Sequence, residues 1–480
     1  MEQIALENIL KRYESNVNSK FNAKEVQELL SDEIAKSSKK IIVLDDDPTG
    51  VQTVHDIFVF TDWSVESIRK GFQSPERLFY LLTNSRGLTE SQTVEVHTEI
   101  SNNIIQVAKE TGQEFMIISR GDSTLRGHFP LETLLLKNLL EEGTGINIDG
   151  EILFPFFKEG GRFTVEDVHY VNQDGILIPA GDTEFAKDKT FGYTKSNLCE
   201  YVEEKTKGQY LAKSVTSISL ESLRNVELDV IVHQLLGVKN FEKVVVNSLD
   251  YQDVEVFCIA LYRAMAQGKN FMFRTAASFV KVVGGVSDKA LLTRADMIQE
   301  DNRNGGMIVI GSHTAKTTEQ LDELRSLDNI TFLEFNSDLV LEDKLDEEVE
   351  RVVDLSQSLI LKGRTVVVYT KRKVLILKDD TPEKALLRSV KISEGVQALV
   401  GRLTGQPSFV IAKGGITSSD VGVKALNVKQ ALVLGQVKAG IPVWKTDAKS
   451  KFPGIPYIIF PGNVGEKDTL KEVVEILNAC

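Results

Sequence analysis

From Ile41 onward, short apolar runs alternate with stretches of helical periodicity, and this alternation limits the fold more than any other feature of the sequence. The runs are "IIVL", "DIFVFT", "RLFYLLT", "EFMIIS" and "EILFPF", then "KVVVNS" and "NFMFRT". Such runs, separated by helical segments, read as buried parallel strands with crossover helices. Between Ala276 and Gly306 the periodicity falters, and "IQEDNRNGG" is polar and glycine-rich enough to mark a boundary. Alternation resumes with "GMIVIG", "TVVVYT", "SFVIAK", "QALVLG" and "YIIFPG", and closes on the helical pattern "KDTLKEVVEILNA". Up to about Lys39 the apolar residues fall three or four apart, which predicts helices that pack on the body or on a second subunit, a homodimer. The fold class expected is α/β: two three-layer α/β domains with mainly parallel sheets and an active site in the interdomain cleft. The expected divisions are a helical extension over 1–39, a first domain over 40–285 and a second over 305–480. A length of 480 residues, beyond what one core usually organises, agrees with this.

In open α/β sheets ligands bind outside the carboxyl ends of the strands, so the text after each strand is the informative part. After the first come Asp45, Asp46, Asp47, Pro48, Thr49 and Gly50. Three adjacent carboxylates at the end of a buried strand repel one another, and a cation or a proton is needed to offset this. After "RLFYLLT" come Asn84, Ser85 and Arg86; after "EFMIIS" comes "RGDSTLRGHFP", with Arg120, Asp122, Ser123, Thr124, Arg126 and His128. The planar fork of an arginine suits a carboxylate, and acids with hydroxyls suit the alcohols of a polyol, so the expected guest is a hydroxy acid. The competing view is that Arg86, Arg120 and Arg126 only neutralise the aspartates.

The second half offers glycines where strands turn into helices. "VIGSHTAKTTEQL" places Gly311 and Ser312 there, "VIAKGGITSSDVGVKAL" places Lys413, Gly414 and Gly415 with Thr417 as N-cap, and "IIFPGNVGEKDTL" places Pro461, Gly462 and Asn463. Glycine lets the backbone approach a phosphate, and a helix N-terminus offers unpaired amides, so these loops read as a polyphosphate or nucleotide cradle.

Other chemistries lose ground. Neither G-x-x-x-x-G-K-[ST] nor G-x-G-x-x-G after a first strand is present, nor a G-x-S-x-G elbow. His128 and His169 lack metal-ligand partners at recognisable spacing and read as structural. Cys199, Cys258 and Cys480 are few and far apart, which fits neither a disulfide framework nor a zinc site and suits a reducing, cytoplasmic setting. A formal charge of -13 gives no footprint for nucleic acid or an anionic membrane. "MEQIALENILKRYE" has no signal-peptide character, and no apolar run is long enough to span a bilayer.

Six motifs, in order, resemble those of the four-carbon acid sugar kinase family: "DDPTG" at Asp46–Gly50, "NSR" at Asn84–Arg86, "RGDSTLRG" at Arg120–Gly127, "GS" at Gly311 and Ser312, "GGITS" at Gly414–Ser418, and "PGNVG" at Pro461–Gly465. The resemblance runs from about Ile41 to the C-terminus. It implies an N-terminal acid-sugar domain and a C-terminal nucleotide domain, and a kinase using ATP and Mg2+ to phosphorylate the terminal hydroxyl of a threonate, erythronate or 3-oxo-tetronate. The family's D-D-x-T-G maps onto Asp46, Asp47, Thr49 and Gly50, which makes Asp45 an addition, as is the helical segment before Ile41. Lys413 stands where many relatives carry a small residue. On this resemblance Asp47 or Asp122 is the catalytic base and Arg86 and Arg120 hold the substrate carboxylate. Asp46, Ser123 and Thr124 join the substrate site, while Ser312, Gly414, Gly415, Ile416, Thr417, Gly462 and Asn463 hold the nucleotide.

Two rivals remain. Asp45, Asp47 and Thr49 also fit D-x-D-x-T, the motif of haloacid dehalogenase-type phosphatases, with Asp45 as nucleophile; "GDTEFAKD" at Gly181–Asp188 fits poorly the acidic pair such an enzyme needs. A non-catalytic sensor of acid sugars would leave the candidate base without a task.

Overall fold

The structure is a computed structural model that describes residues 4–14, 21–299, 302–375, 377, 380–462 and 464–479. The chain forms two compact units. One takes the chain as far as Thr53 and again from Asp62 to Asp288; the other takes Val54–Thr61 and everything from Lys289 onward.

The main sheet of the first unit has the spatial order Thr216–Ile218, Glu242–Val246, Gly150–Phe154, Phe271–Thr275, Phe115–Arg120, Lys40–Asp45 and Leu78–Leu82. Every neighbouring pair is parallel. Continuous apolar runs suit this arrangement because a parallel strand covered on both faces has no solvent side, and Lys40–Asp45, Leu78–Leu82 and Gly150–Phe154 are buried at every position. The register brings the carboxyl ends level. Asp45 pairs with Leu82 on one side and Arg120 on the other, Arg120 with Thr275, and Thr275 with Phe154. One edge of the sheet therefore carries the loops singled out in the sequence.

The N-terminal helix Ala23–Lys36 opens on a capping box between Asn22 and Glu25 and packs on the body, burying Val26 and Leu30 and pairing Glu33 with Arg263 at 2.9 Å. Ahead of it, Ile4–Ala5 adds a short strand to a small antiparallel sheet of Ile176–Pro179, Val168–Gln173 and Arg162–Val165. The segment read as helical thus also supplies a strand.

The sheet of the second unit runs Ile57–Phe60, Gln430–Lys438, Ile441–Thr446, Pro456–Phe460, Val410–Lys413, Met307–Ile310, Thr365–Thr370 and Ile330–Phe335. The strands from Pro456–Phe460 to Ile330–Phe335 are mutually parallel. Gln430–Lys438 and Ile441–Thr446 form an antiparallel hairpin, and Ile57–Phe60 adds antiparallel to its outer side. Burial alternates along Gln430–Lys438, as expected of a strand with one covered face. Ile308, Ile310, Val367, Ile411, Ile458 and Phe460 form the centre of the core here. Phe460, Lys413 and Ile310 lie level at the carboxyl edge. No helix among the described residues is long and apolar enough to cross a membrane.

Candidate functional site

In the first unit, Asp45 ends its strand, Asp46 follows, and Asp47 caps a short turn over Pro48–Val51 whose proline fixes the entry angle; its Oδ1 accepts from the Thr49 amide at 2.7 Å. Arg120 ends the adjacent strand. Its Nη1 lies 3.0 Å from Asp45 Oδ1 and 2.8 Å from Asp46 Oδ1. Arg86, in the turn after Leu78–Leu82, hydrogen-bonds Asp47 and reaches Asp122 at 3.3 Å. Arg126 Nε donates to Asp122 Oδ2 at 2.7 Å, and the Thr124 hydroxyl donates to the same oxygen.

These contacts sort the aspartates by charge and access. Burial pushes Asp45 up to about 8 against the pull of Arg120, with Asp46 and Asp47 adding to the rise, so it carries a proton at neutral pH. Burial also raises Asp46, beyond what Arg86, Arg120 and Arg274 offset, and its Oδ2 has no hydrogen-bond partner among the described residues. At Asp47 burial is outweighed by Arg86 and Arg120, and at Asp122 by Arg126 and Arg86, so both are held below the usual carboxylate range. The side chains of Asp47 and Asp122 are 13 and 11 % exposed, against 1 and 3 % for Asp45 and Asp46. The ionised pair is within a ligand's reach. Asp45, 1 % exposed and paired with Arg120, is the least accessible of the four aspartates, which weighs against its use as the nucleophile of the phosphatase reading.

Ser123 is half-buried on the same loop, and Thr124 is buried with its hydroxyl committed to Asp122. His169 Nε2 donates to the Ser123 carbonyl at 2.8 Å, and its Nδ1 lies 3.0 Å from Thr164 Oγ1. Burial lowers its pKa to about 4, so it is a neutral brace for the loop. His128 likewise has a backbone partner, the Leu88 carbonyl at 3.0 Å.

The second unit brings hydroxyls and turns together at its carboxyl edge. Thr314 caps the helix Ala315–Leu324, and the hydroxyls of both Thr314 and Thr317 donate to the Gly462 carbonyl at 3.2 Å. Ser312 Oγ sits 3.1 Å from Thr317 Oγ1. Gly414 has φ +120°, and a β-carbon there would meet the Ser312 side chain at 3.1 Å, so only glycine suits the approach of these two loops. The helix Gly415–Asp420 has Gly414 as its N-cap, which corrects the placing of Thr417: it lies inside the first turn, not at the cap. The amides of Gly415, Ile416 and Thr417 belong to that turn, where a helix supplies no partner of its own. The Ile416 side chain itself is exposed. Lys413 is fully buried, donates to the Pro461 carbonyl at 2.7 Å and lies over the Phe460 ring; burial, then nearby Lys316, lower its pKa to about 7. Asn463 lies outside the described residues. Glycine, hydroxyls and a first helical turn at one strand edge fit an anionic phosphate chain. Among the described residues no group of three His, Cys, Asp or Glu side chains could hold a metal ion.

A family model for a sugar-binding N-terminal domain matches residues 41–283, and one for a nucleotide-binding C-terminal domain matches residues 307–470. The chain belongs to the four-carbon acid sugar kinase family. No curated protein matches it in sequence. Among solved structures, a Haemophilus influenzae protein is 16 % identical with a TM-score of 0.59, over 91 % of this chain and 100 % of its own. A Salmonella typhimurium LT2 protein is 14 % identical with a TM-score of 0.64, over 90 % of this chain and 98 % of its own. These likenesses are of fold.

In this family member three residues that the loop-by-loop reading passed over join the described sites. Arg274, from the strand Phe271–Thr275, is 2.6 Å from Glu132 and 3.1 Å from Ser119 Oγ, and Glu132 in turn accepts from the Ser85 hydroxyl. Both stood in apolar text, "NFMFRT" and "PLETLLL", where a lone charge inside a buried run was the available signal. Arg372 Nη2 donates to the Ser312 carbonyl at 2.6 Å and fixes that loop; no motif marked it.

Proposed function

We propose that the protein is an ATP-dependent kinase that phosphorylates the terminal hydroxyl of a four-carbon acid sugar of the threonate, erythronate or 3-oxo-tetronate type. The observation that carries the reading is the combination, in one chain, of two sites of complementary chemistry. One gathers arginines and ionised aspartates at a strand edge; the other is a cradle suited to phosphates. Arg86, Arg120, Arg126, Arg162 and Arg274 stand among Asp45, Asp46, Asp47, Asp122 and Glu132, and the buried Nε of Arg162 has no hydrogen-bond partner among the described residues. That suits an anionic, hydroxylated substrate.

Phosphoryl transfer asks the protein mainly for positioning and charge stabilisation. Asp47 is the proposed proton acceptor for the substrate hydroxyl. It and its rival Asp122 each accept two hydrogen bonds, Asp47 from Thr49 and Arg86 and Asp122 from Arg126 and Thr124, but Asp47 pairs with one arginine, Arg86, whereas Asp122 pairs with two, Arg86 and Arg126. A carboxylate paired with one cation is the better proton acceptor than one paired with two. Ser312, Gly414, Gly415, Ile416, Thr417 and Gly462 are proposed to receive the phosphates, with Mg2+ carried in on them. A panel of tetronates, threonates and oxo-acids tests the reading, with ATP and Mg2+, ADP release and mass spectrometry of the product. A mass gain of one phosphate on a four-carbon acid is the expected result; ADP release with no phosphorylated acid would sink it.

A further inference from the structure

The kinase reading needs a group that grips the sugar's carboxylate, and the two arginines expected to do so are committed within the protein. Arg120 holds Asp45 and Asp46, and Arg86 bridges Asp47 and Asp122. Two other guanidinium groups share one aromatic ring beside Asp122. The Cζ atoms of Arg126 and Arg162 lie 5.0 and 5.8 Å from the centroid of Phe185. Arg126 uses its Nε on Asp122 and Thr124. Arg162 opens the strand Arg162–Val165, and its buried Nε has no hydrogen-bond partner among the described residues.

Resting on the reading above, we infer that Arg162, with Arg126 over the face of Phe185, forms the subsite for the carboxylate of the substrate. Burial pushes the Arg162 pKa down, Asp122 offsets this in part, and Arg126 adds repulsion. An anion placed there answers both the two adjacent guanidinium groups and the orphaned donor. The aromatic face holds the two cations without offering a competing acceptor. From this subsite a chain of contacts runs through Arg126, Asp122 and Arg86 to Asp47. The acid end of the sugar is thereby assigned to one side of Asp122 and the reacting hydroxyl to the other. The subsite was not legible in the sequence, because Arg162 lies past the turn "KEGG", in an antiparallel strand beyond the loop that follows Gly150–Phe154.

The test is calorimetry of D-erythronate, D-threonate and L-threonate without ATP, in parallel with kinetics on the same acids with ATP and Mg2+. The wild-type protein should bind at least one of them. Arg162→Met should weaken that binding and raise KM by about 10- to 100-fold, the size of a lost charge-assisted hydrogen bond, with kcat changed far less and the melting curve intact. Arg162→Lys should recover part of the loss. Should Arg162→Met not fold, Arg162→Gln, which removes the charge but keeps a planar donor, carries the same expectation. Affinity within twofold of wild type in a folded Arg162→Met or Arg162→Gln protein overturns the inference, as does a wild-type protein that binds none of the acids. If binding responds as expected but no acid is phosphorylated, the subsite stands and the kinase reading falls.

Discussion

Gly50 lies so close over Asp45 that a β-carbon on the glycine would stand 2.1 Å from the aspartate's Oδ2. The loop that begins with three aspartates therefore folds back and seals the first of them. This is how the cluster is tolerated. Asp45 keeps a proton, Asp46 lies under Arg120, and Asp47 lies against Arg86.

A sealed, protonated Asp45 makes stability depend on pH in a definite direction. Its pKa is near 8 when folded and near 3.9 when unfolded, so between those values the folded state holds the extra proton. Its contribution is complete below about pH 4 and is lost as pH rises toward 8. Asp45→Asn, which keeps the acceptor facing Arg120 but cannot ionise, should flatten that slope. Thermal melts of both proteins from pH 5 to pH 9 check it; parallel curves would mean that Asp45 is ionised throughout.

The same contact makes Gly50 intolerant of any side chain. Gly50→Ala forces the loop away from Asp45, and overpacking of this kind costs about 1–3 kcal/mol. Urea unfolding should show a lower midpoint with an unchanged slope. An alanine variant as stable as wild type would show that the loop has room which the contact denies.

Much of this was legible in the text and some was not, for physical reasons. Parallel strands buried on both faces must be apolar throughout, so Lys40–Asp45, Leu78–Leu82 and Val410–Lys413 stand out in the sequence, and so do the loops that follow them. Pairing leaves no such mark. "DIFVFT" follows the first strand in sequence, yet its strand pairs with Gln430–Lys438 in the second unit, because register depends on partners hundreds of residues away. The aspartates could be named as a site; which would hold a proton depended on Gly50 and Arg120, which only folding brings together. Arg274 and Arg162 were missed because neither sits in a loop after a parallel strand.

Arg274 and Glu132 form a buried pair, 11 and 2 % exposed at 2.6 Å, and removing one partner strands the other. Arg274→Met or Glu132→Leu alone should destabilise the protein by about 3–5 kcal/mol, and the double variant by much less than the sum. Chemical denaturation of the three variants gives the cycle. Strict additivity would show that the pair is not energetically coupled.

Gly414 tests the nucleotide cradle apart from the sugar site. Its φ of +120° is costly for any other residue, and a methyl group there meets Ser312. Gly414→Ala should weaken ATP binding by about tenfold or more, the equivalent of one well-made hydrogen bond, while leaving the affinity for a four-carbon acid near wild type. Calorimetry with each ligand separately reads this. Equal losses for both would point to misfolding, and undiminished ATP affinity would place the nucleotide elsewhere.

Asp47 is the residue on which the proposed chemistry turns. Arg86 and Arg120 hold its pKa down against burial, so it is a carboxylate at neutral pH, and the acid limb of a kcat profile should lie below the range of an ordinary aspartate. Asp47→Asn keeps the shape of the side chain and its Oδ1 acceptor for the Thr49 amide, but removes both the charge facing Arg86 and the ability to take a proton. If Asp47 accepts the proton of the substrate hydroxyl, kcat should drop by about 10²–10⁴-fold with KM little changed. If it only orients the sugar, KM rises and kcat holds. Asp122→Asn serves as the control, because its pairing with two arginines makes its role the binding of Arg86 and Arg126, and its loss should appear chiefly in KM and in stability. A folded Asp47→Asn protein with both constants near wild type would reduce the three aspartates to an ion-pair network with their arginines.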